Sequence, residues 1–101
     1  MPPVARVNDL IMGTCCCHDD PQCIHTLGII ITGSPTVLAN GRNLSRVGDM
    51  ALGFCGHTCV VVSGAGKVVT NGISTARVGD SVSGCINGTI ITGSENVLAE
   101  G

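Results

Sequence analysis

The side chains of this sequence that could bind a metal ion or react as nucleophiles are its cysteines and histidines. The 101-residue chain contains seven cysteines and three histidines. Three short motifs recur at matching positions, and they are Cys23-x-His25, Cys55-x-His57 and Cys85-x-Asn87. Thiolate and imidazole are the ligands of closed structural zinc sites, and iron and copper accept the same donors. The motifs therefore indicate a metal site, provided that the fold brings them together.

A further group of candidate ligands precedes the first motif, in the run Cys15-Cys16-Cys17-His18. Three adjacent cysteines cannot all point at one metal ion, so at least one should be spare, exposed or available for a disulfide. Disulfides are otherwise disfavoured, because seven is an odd number and the N-terminus lacks a secretory signal. Free cysteines are also often small buried hydrophobic residues, and this interpretation stays open.

A nucleophilic cysteine is the catalytic alternative, since a Cys beside a His can form a thiolate–imidazolium pair. The sequence has no repeated Ser-His-Asp set and no pair of carboxylates placed for acid–base work. Cys and His two residues apart on a tight loop also compete for one metal ion more readily than they line a cleft. We therefore predict that the protein is not an enzyme.

An internal repeat positions these motifs. The string Arg-Val-[Gly/Asn]-Asp occurs three times, at residues 6–9, 46–49 and 77–80. A glycine-led turn and then a second turn follow each copy, at Gly33-Ser34, Gly64-Ala65, Gly93-Ser94, Asn40-Gly41, Asn71-Gly72 and Glu100-Gly101. A unit this short cannot bury its own apolar face, so three must pack around one core. We predict one domain over residues 1–101, with repeats at roughly 1–41, 42–72 and 73–101 and an insertion at about 12–22.

Short β-branched segments between the turns predict an all-β fold with little or no helix. The first strand of each unit is predicted at residues 29–32, 60–63 and 89–92, and the second at 37–39, 67–70 and 96–99. The two strands of a unit should form a hairpin. The turn that follows joins this hairpin to the next arm, which is the segment that contains the Arg-Val-[Gly/Asn]-Asp string. Pseudo-three-fold symmetry would then bring the three cysteine-containing loops to one end of the axis.

Two details of the repeated string have structural explanations. The Arg and Asp of each copy can stabilise a turn through an ion pair or through bonds to the backbone. The first copy has Asn8 where the others have Gly48 and Gly79. Asn tolerates positive φ better than other non-glycine residues, so we predict a left-handed conformation at all three positions.

Composition disfavours several classes of function. Net charge is −2, charged residues are only 12%, and the chain has one Phe and no Trp or Tyr. Nucleic-acid binding needs a basic surface and usually aromatic stacking platforms, so no nucleic-acid partner is expected. No apolar run reaches the length of a membrane span. The scarcity of charge favours a surface that an obligate partner covers, and a coat of Ser, Thr and Asn is the alternative.

The sequence resembles the PAAR-repeat proteins, a family named for a degenerate Pro-Ala-Ala-Arg motif. The motif corresponds here to Pro3-Val4-Ala5-Arg6, Asn43-Leu44-Ser45-Arg46 and Ser74-Thr75-Ala76-Arg77. The string from Gly33 to Gly41 and its echo from Gly93 to Gly101 are equally typical of that family. The resemblance covers essentially the whole chain, and it is specific through the order and spacing of these elements.

The resemblance implies a small cone of short β-strands whose base sits on a trimeric β-helical spike, either VgrG-like or from a phage tail. Such spikes belong to type VI secretion systems, contractile phage tails and related injection machines. In the family, three His and one Cys bind a metal ion at the vertex, usually zinc, and this pattern falls on His18, His25, His57 and Cys85. Cys55 or Cys23 is the alternative to His18, and iron is the alternative to zinc.

The implied function is that of a structural tip, one per trimer, which caps and sharpens the spike and aids membrane piercing and effector delivery. We expect a monomer when free, made in the cytoplasm and then delivered outside the cell or built into a virion tail. It should pierce a membrane without residing in it. Because the sequence ends at the third repeat, effectors are expected to bind noncovalently. A free-standing metal-binding or redox-sensing module is the alternative function.

Overall fold

The computed structural model describes residues 3–17, 23–66, 68–94 and 97. These residues form the strands β1 (Leu10–Cys15), β2 (Ile24–Ile30), β3 (Leu38–Ala39), β4 (Arg42–Asn43), β5 (Met50–Gly53), β6 (Thr58–Val61), β7 (Val69–Thr70), β8 (Ile73–Ser74), β9 (Ser81–Gly84) and β10 (Ile86–Ile90). No helix occurs among the described residues, and the predicted all-β fold class is confirmed. Within the same residues there is accordingly no helix of the length and apolarity that a membrane span needs.

Six of the strands close into an antiparallel barrel. Their order around the barrel is β1-β10-β9-β6-β5-β2. The barrel consists of three hairpins, β1–β2, β5–β6 and β9–β10, and each begins directly after the Asp of one copy of the repeated string. The internal repeat therefore appears in the structure as three equivalent hairpins.

The pairing of the strands differs from the prediction. The expected first strands overlap β2, β6 and β10, but their hairpin partners are β1, β5 and β9. The expected hairpins between residues 29–32 and 37–39, and between 60–63 and 67–70, are wrong. β5 and β9 read Met-Ala-Leu-Gly and Ser-Val-Ser-Gly. The Gly and Ala residues in them have weak strand propensity, so barrel closure rather than local preference makes these segments strands. Of the last predicted strand, residues 96–99, only Val97 lies within the described residues.

Asn-Gly turns close two small hairpins beside the barrel. β3 pairs with β4 across Asn40-Gly41, and β7 pairs with β8 across Asn71-Gly72. The φ values are 55° and 77° in the first turn and 53° and 78° in the second. Positive φ at both central residues is the type I′ geometry that suits tight hairpins. The predicted turn at Glu100-Gly101 lies outside the described residues.

The insertion in the first unit lengthens one hairpin of the barrel. Residues 12–15 belong to β1, which pairs along its length with β2 and also with β10. β1 and β10 approach closely, since a Cβ on Gly13 would lie 2.5 Å from the carbonyl oxygen of Asn87. Residues 16 and 17 follow β1, and residues 18–22 of the insertion lie outside the described part of the chain.

The three arms that carry the Pro-Ala-Ala-Arg-like motif meet in a closed ring. The amide of Ala5 donates to the carbonyl of Ala76, that of Ala76 to Ser45, and that of Ser45 back to Ala5, each at 2.9 Å. All three residues are fully buried. Because equivalent residues form a cyclic set of bonds, a pseudo-three-fold axis passes through this ring.

Each Asp of the repeated string is buried and binds its own arm. Asp9, Asp49 and Asp80 accept bonds from the backbone amide and the guanidinium of the Arg three residues earlier, with Nε–Oδ2 distances of 2.9, 3.2 and 3.0 Å. A hydroxyl that follows the neighbouring hairpin donates to each carboxylate, from Thr92 to Asp9, from Thr32 to Asp49 and from Ser63 to Asp80. The predicted turn-stabilising role is confirmed, and the same carboxylates also join neighbouring hairpins.

The apolar core has two parts. The barrel encloses mainly aliphatic side chains and two buried thiols, among them Ile11, Ile30, Val61, Val82, Ile86, Ile90, Cys15 and Cys59. A second cluster of Val4, Ala39, Leu44 and Ala65 lies between the arms and the small hairpins. The described structure is elongated, with principal extents of 40 × 23 × 23 Å.

Candidate metal centre

The end of β1 places one thiol inside the barrel. Successive side chains of a strand point to opposite faces, so Ile11 and Cys15 face the interior while Met12 faces outward. Cys15 is fully buried, and its register partners on the neighbouring strands are Ile24 and Ile86. The thiol of Cys15 therefore covers one end of the barrel core.

The turn between β5 and β6 brings two more donors to the same end. The amide of Gly53 donates to the carbonyl of His57 at 2.8 Å, and the amide of Gly56 donates to the carbonyl of Gly53 at 3.0 Å. Gly56 has a φ of 92°, which a residue with a side chain rarely adopts. A Cβ on Gly53 would collide with Cδ1 of Ile86 and lie 3.1 Å from Sγ of Cys55. These glycines let the turn fold tightly against the barrel end.

The side chains of Cys15, Cys55 and His57 form a compact donor set. Sγ of Cys15 lies 3.3 Å from Nδ1 of His57, and the three ligand atoms all lie within 4.8 Å of one another. In a tetrahedral zinc site with Zn–S bonds of about 2.3 Å, ligand atoms are roughly 3.5–4 Å apart. Two thiols and an imidazole are soft donors of the kind that bind zinc, copper(I) or iron. This donor set could hold a metal ion.

The two thiols of the donor set differ in acidity. Burial raises the pKa of Cys55, but the backbone N–H of His57 and the side chains of Cys15, His57 and Thr26 lower it, to about 7. Burial raises the pKa of Cys15 above its ordinary value. One thiolate is thus accessible near neutral pH, and a bound cation would favour loss of the second proton.

A further thiol, that of Cys59 on β6, lies deeper in the barrel. Its register partners are Ala51 and Gly84, and only 3% of the residue is exposed. Burial, followed by the charges of Cys55 and Cys15, raises its pKa to about 11. Cys59 is therefore a protonated core residue at neutral pH, which matches the interpretation of a free cysteine as a small hydrophobic residue.

The other four cysteines form disulfides, which corrects the expectation that disulfides are disfavoured. Cys16 pairs with Cys23 and Cys17 pairs with Cys85, with Cα–Cα distances of 4.2 and 5.2 Å. The reason is that the barrel brings the loops after β1, before β2 and between β9 and β10 to one end. An odd number of cysteines does not indicate which of them lie close together. The two disulfides leave Cys15, Cys55 and Cys59 as free thiols.

The predicted ligands lie in different environments. His57 is part of the donor set, whereas Cys85 is in a disulfide. His25 lies in β2 with an exposed side chain, on the outer face of the wall, where its Nδ1 is 3.5 Å from Oγ1 of Thr14. His18 lies outside the described residues. The ligand set of His18, His25, His57 and Cys85 stays a prediction.

Sequence reasoning missed Cys15 as a member of the donor set. It treated residues 15–17 as one run, of which at least one thiol was expected to be spare, exposed or available for a disulfide. The available signal was the period of two from Ile11 through Gly13 to Cys15, which places the thiol on the inner face once β1 is a strand. Cys55 was an alternative ligand, and the structure places it beside His57. The other alternative, Cys23, is in a disulfide.

Comparison with known proteins found a match to one family model. The family model of the PAAR motif matches residues 54–101, a span that contains Cys55, His57 and Cys85. No curated protein matches the chain. The PAAR family is a structural family whose members are associated with spike tips of contractile injection systems and with VgrG-type spike proteins. The resemblance is confirmed over residues 54–101, which match the PAAR motif and include the third of the repeated arms.

Proposed function

We propose that this protein caps and sharpens the trimeric β-helical spike of a contractile injection machine, with one copy per trimer. The observation that carries the proposal is the closed ring of Ala5, Ser45 and Ala76. Three equivalent arms around one axis let a single chain offer a similar surface to each of three identical subunits. The repeats at roughly 1–41, 42–72 and 73–101 would each contact one subunit.

Exposed apolar side chains far from the donor set support this docking role. β2 begins at the end of the barrel that holds Cys15 and leads away from it towards β3, so the small hairpins lie at the opposite end. Leu38 in β3 and Val69 in β7 occupy equivalent positions there and are 57% and 61% exposed. Apolar groups at this end suit the open strand ends of a β-helix, which need a cover to exclude water and other chains.

The barrel wall supports a role in membrane piercing. The six barrel strands contain no Asp, Glu, Lys or Arg. The charged side chains that the structure describes lie in the arms and in β4, and the carboxylates among them are paired. Since moving an unpaired charge out of water is costly, a barrel wall whose strands have no charged side chain lowers part of the barrier to entering a bilayer; Asp19 and Asp20, in the connection between β1 and β2, are charges that would still have to enter. Injection would then carry the protein out of the cytoplasm in which it is made.

The donor set of Cys15, Cys55 and His57 supports a metal-pinned vertex. The ion would join the β5–β6 turn to the end of β1, and zinc suits the donors, with iron as the alternative. The remaining ligand would come from the predicted residues His18, His25 and Cys85. Metal binding can add about ten kcal/mol to the stability of a small fold, which would help a tip to resist compression.

Native mass spectrometry of the protein mixed with its trimeric spike tests the docking role. We expect a complex of three spike chains, one tip chain and one metal ion. Replacing Leu38 and Val69 with Glu should abolish the complex, because two charges would be buried against the spike. Phe54→Glu is the matched control, since Phe54 is 66% exposed at the metal end, and it should leave the complex intact. Loss of the complex in Phe54→Glu alone would mean that the spike binds the metal end, which would contradict the proposed docking surface.

Metal analysis of two histidine variants tests the vertex. His57→Ala should lower metal affinity by at least about 100-fold, since loss of a ligand exceeds the 10–100-fold effect of losing an outer-shell partner. His25→Ala should retain the metal if the ligands are those that the structure brings together. A loss of metal in both variants would instead favour the set that contains His18, His25, His57 and Cys85. Unchanged metal binding in His57→Ala would remove the metal-pinned vertex.

The crowding of thiols at one end favours a second candidate function, a free-standing metal-binding or redox-sensing module. This alternative predicts a metal-bearing monomer that ignores the spike trimer. It also predicts rapid metal exchange in the folded state, whereas a closed clasp predicts slow exchange. The same native spectrum separates the two functions.

A further inference from the structure

The disulfide between Cys17 and Cys85 lies directly beside the donor set. Cys85 precedes Ile86, whose register partner is Cys15. The carbonyl of Cys85 accepts a bond of 3.0 Å from the amide of Cys16. Cys85 and Cys55 are both half-buried, and both pack against the barrel core that contains Cys15. A sulfur that is held in a covalent bond therefore lies at the edge of a cluster that is one donor short of a closed tetrahedral site.

The repeat relates Cys85 to a member of the donor set. Cys85 occupies in the third hairpin the position that Cys55 occupies in the second, in the connection between the two strands. Around a pseudo-three-fold axis, equivalent positions lie at the same height and the same distance from the axis. Cys59 differs, because it faces the barrel interior between Ala51 and Gly84. Once its disulfide is opened, Cys85 is thus the equivalent, in the third hairpin, of the Cys55 thiol in the donor set.

We propose that the Cys17–Cys85 disulfide is a redox switch on the metal centre, such that reduction releases Cys85 as the fourth ligand and oxidation withdraws it. The proposal rests on the metal centre of the proposed function but not on spike binding. The switch provides two alternative links between the segment after β1 and the β9–β10 turn. Zinc joins them through Cys85 in the reduced protein, and the covalent bond to Cys17 joins them in the oxidised protein.

The reduction requires a low-molecular-weight thiol such as glutathione. Its thiolate attacks Sγ of Cys17, the more exposed residue of the pair; the S–S bond breaks and its electron pair leaves on Cys85 as a thiolate. A second thiolate attacks the external sulfur of the mixed disulfide and releases Cys17, which takes a proton from water. The sum consumes two external thiolates and one proton and gives one external disulfide, one Cys17 thiol and one Cys85 thiolate that can bind the ion. An external disulfide such as oxidised glutathione drives the reverse reaction, which forms the Cys17–Cys85 bond again and returns the two external thiolates and the proton.

The switch matches the compartments through which an injected protein passes. Cytosolic thiol buffers keep most cysteines reduced, so the four-ligand form would be present where the protein is made. Oxidising surroundings outside the cytosol favour the disulfide form. The vertex would then remain fastened in both environments, by the metal ion in one and by the disulfide in the other.

Zinc titration of the full chain against a competing chelator tests the switch, with disulfide mapping by mass spectrometry on each sample. Protein reduced with a phosphine should bind one zinc ion, and protein treated with oxidised glutathione should bind it at least about 100-fold more weakly. Cys85→Ser should show the weak affinity in both states. Cys17→Ser leaves Cys85 without its disulfide partner, so it should show the strong affinity in both states when mapping finds Cys85 unmodified.

Two controls identify the sulfur responsible. The double variant Cys16→Ser/Cys23→Ser removes the other disulfide, and Cys59→Ser removes the deep core thiol; both should retain the redox dependence. Loss of the strong affinity in Cys59→Ser but not in Cys85→Ser would overturn the proposal. Equal zinc affinity of the wild type in both states would also overturn it while leaving the metal centre in place. If the protein binds no zinc in the reduced state or in the oxidised state, the metal centre itself is rejected. The spike-binding experiment does not depend on this result.

Discussion

Two serines that are buried to the same extent have opposite hydrogen-bonding environments. Ser34 accepts bonds from the amides of Thr36 and Val37 at 3.2 and 3.0 Å, and its hydroxyl also bonds to Oδ1 of Asn71. Ser45 lies on the ring at the pseudo-three-fold axis, and its hydroxyl is buried with no hydrogen-bond partner among the described residues. The equivalent ring positions in the other arms are both Ala.

Replacing Ser45 with Ala should therefore stabilise the protein. Removal of an unsatisfied buried hydroxyl is expected to raise the free energy of unfolding by about 1 kcal/mol, which corresponds to a rise in Tm of roughly 4–8 °C for a domain of this size. Ser34→Ala is the matched control and should lower stability by about 1–2 kcal/mol. Chemical denaturation of the three proteins measures both differences, and a destabilised Ser45→Ala would show that this hydroxyl has a partner in solution.

The carboxylate of Asp9 predicts loss of stability in acid. Burial raises the pKa of Asp9, but bonds from the side chains of Arg6, Thr92 and Arg42 and from the amide of Arg6 outweigh burial and hold it below its ordinary value. A group with a depressed folded-state pKa contributes stability above its unfolded-state pKa, about 4, and that contribution is lost as pH falls through the lower folded-state value.

Asp9→Asn tests this contribution. At pH 7 it should lower the free energy of unfolding by about 2–3 kcal/mol, the cost of removing charged hydrogen bonds. Urea denaturation between pH 6 and the most acidic folded condition should show a smaller decline with pH in the variant than in the wild type. Parallel declines would mean that Asp9 does not carry acid sensitivity.

At the scale of the element, the turn in each arm depends on one backbone conformation. Asn8, Gly48 and Gly79 have φ values of 75°, 94° and 92°, as their equivalence in the repeat predicts. Nothing lies within 4 Å of a Cβ built on Gly48, so a side chain there meets no steric obstacle and only backbone strain remains.

Gly48→Asn and Gly48→Val separate backbone strain from packing. Since Asn already occupies the first arm, Gly48→Asn should change stability by less than about 0.5 kcal/mol, whereas Gly48→Val should lower it by about 1–2 kcal/mol because a β-branched residue disfavours positive φ. Thermal denaturation of both variants gives the comparison. Equal Tm values would mean that the arm relaxes away from the left-handed conformation.

Turns and arms were more predictable from the sequence than strand partners. Asn40-Gly41 and Asn71-Gly72 specify their own geometry, because both residues of each turn tolerate positive φ. β5 and β9 contain Gly, Ala and Ser, so only closure of the barrel makes them strands. The same closure decides the candidate site, since Cys15 meets His57 only after β1 has paired with two other strands. Local chemistry indicated His57 and Cys55, but long-range register determines the rest.

At the scale of the whole molecule, the symmetry of the backbone contrasts with the asymmetry of the chemistry. The ring at the axis and the carboxylates of Asp9, Asp49 and Asp80 repeat three times. The thiols do not, because the first hairpin contributes Cys15 to the donor set while the second contributes both Cys55 and His57. Under the proposed function, a three-fold base would match a trimer, whereas a vertex that binds a single ion could use unequal ligands.

The closed ring predicts that the three arms unfold together. Each arm donates one ring amide and accepts another at Ala5, Ser45 and Ala76, so opening one arm breaks two of the three bonds. Hydrogen exchange resolved by residue should therefore show these three amides exchanging at a common free energy equal to that of global unfolding. Ala76→Leu overpacks the axis and should lower that common value by about 1–3 kcal/mol in all three arms. Faster exchange confined to the amides around residue 76 would mean that the third arm opens by itself, and the ring would not be the cooperative centre of the fold.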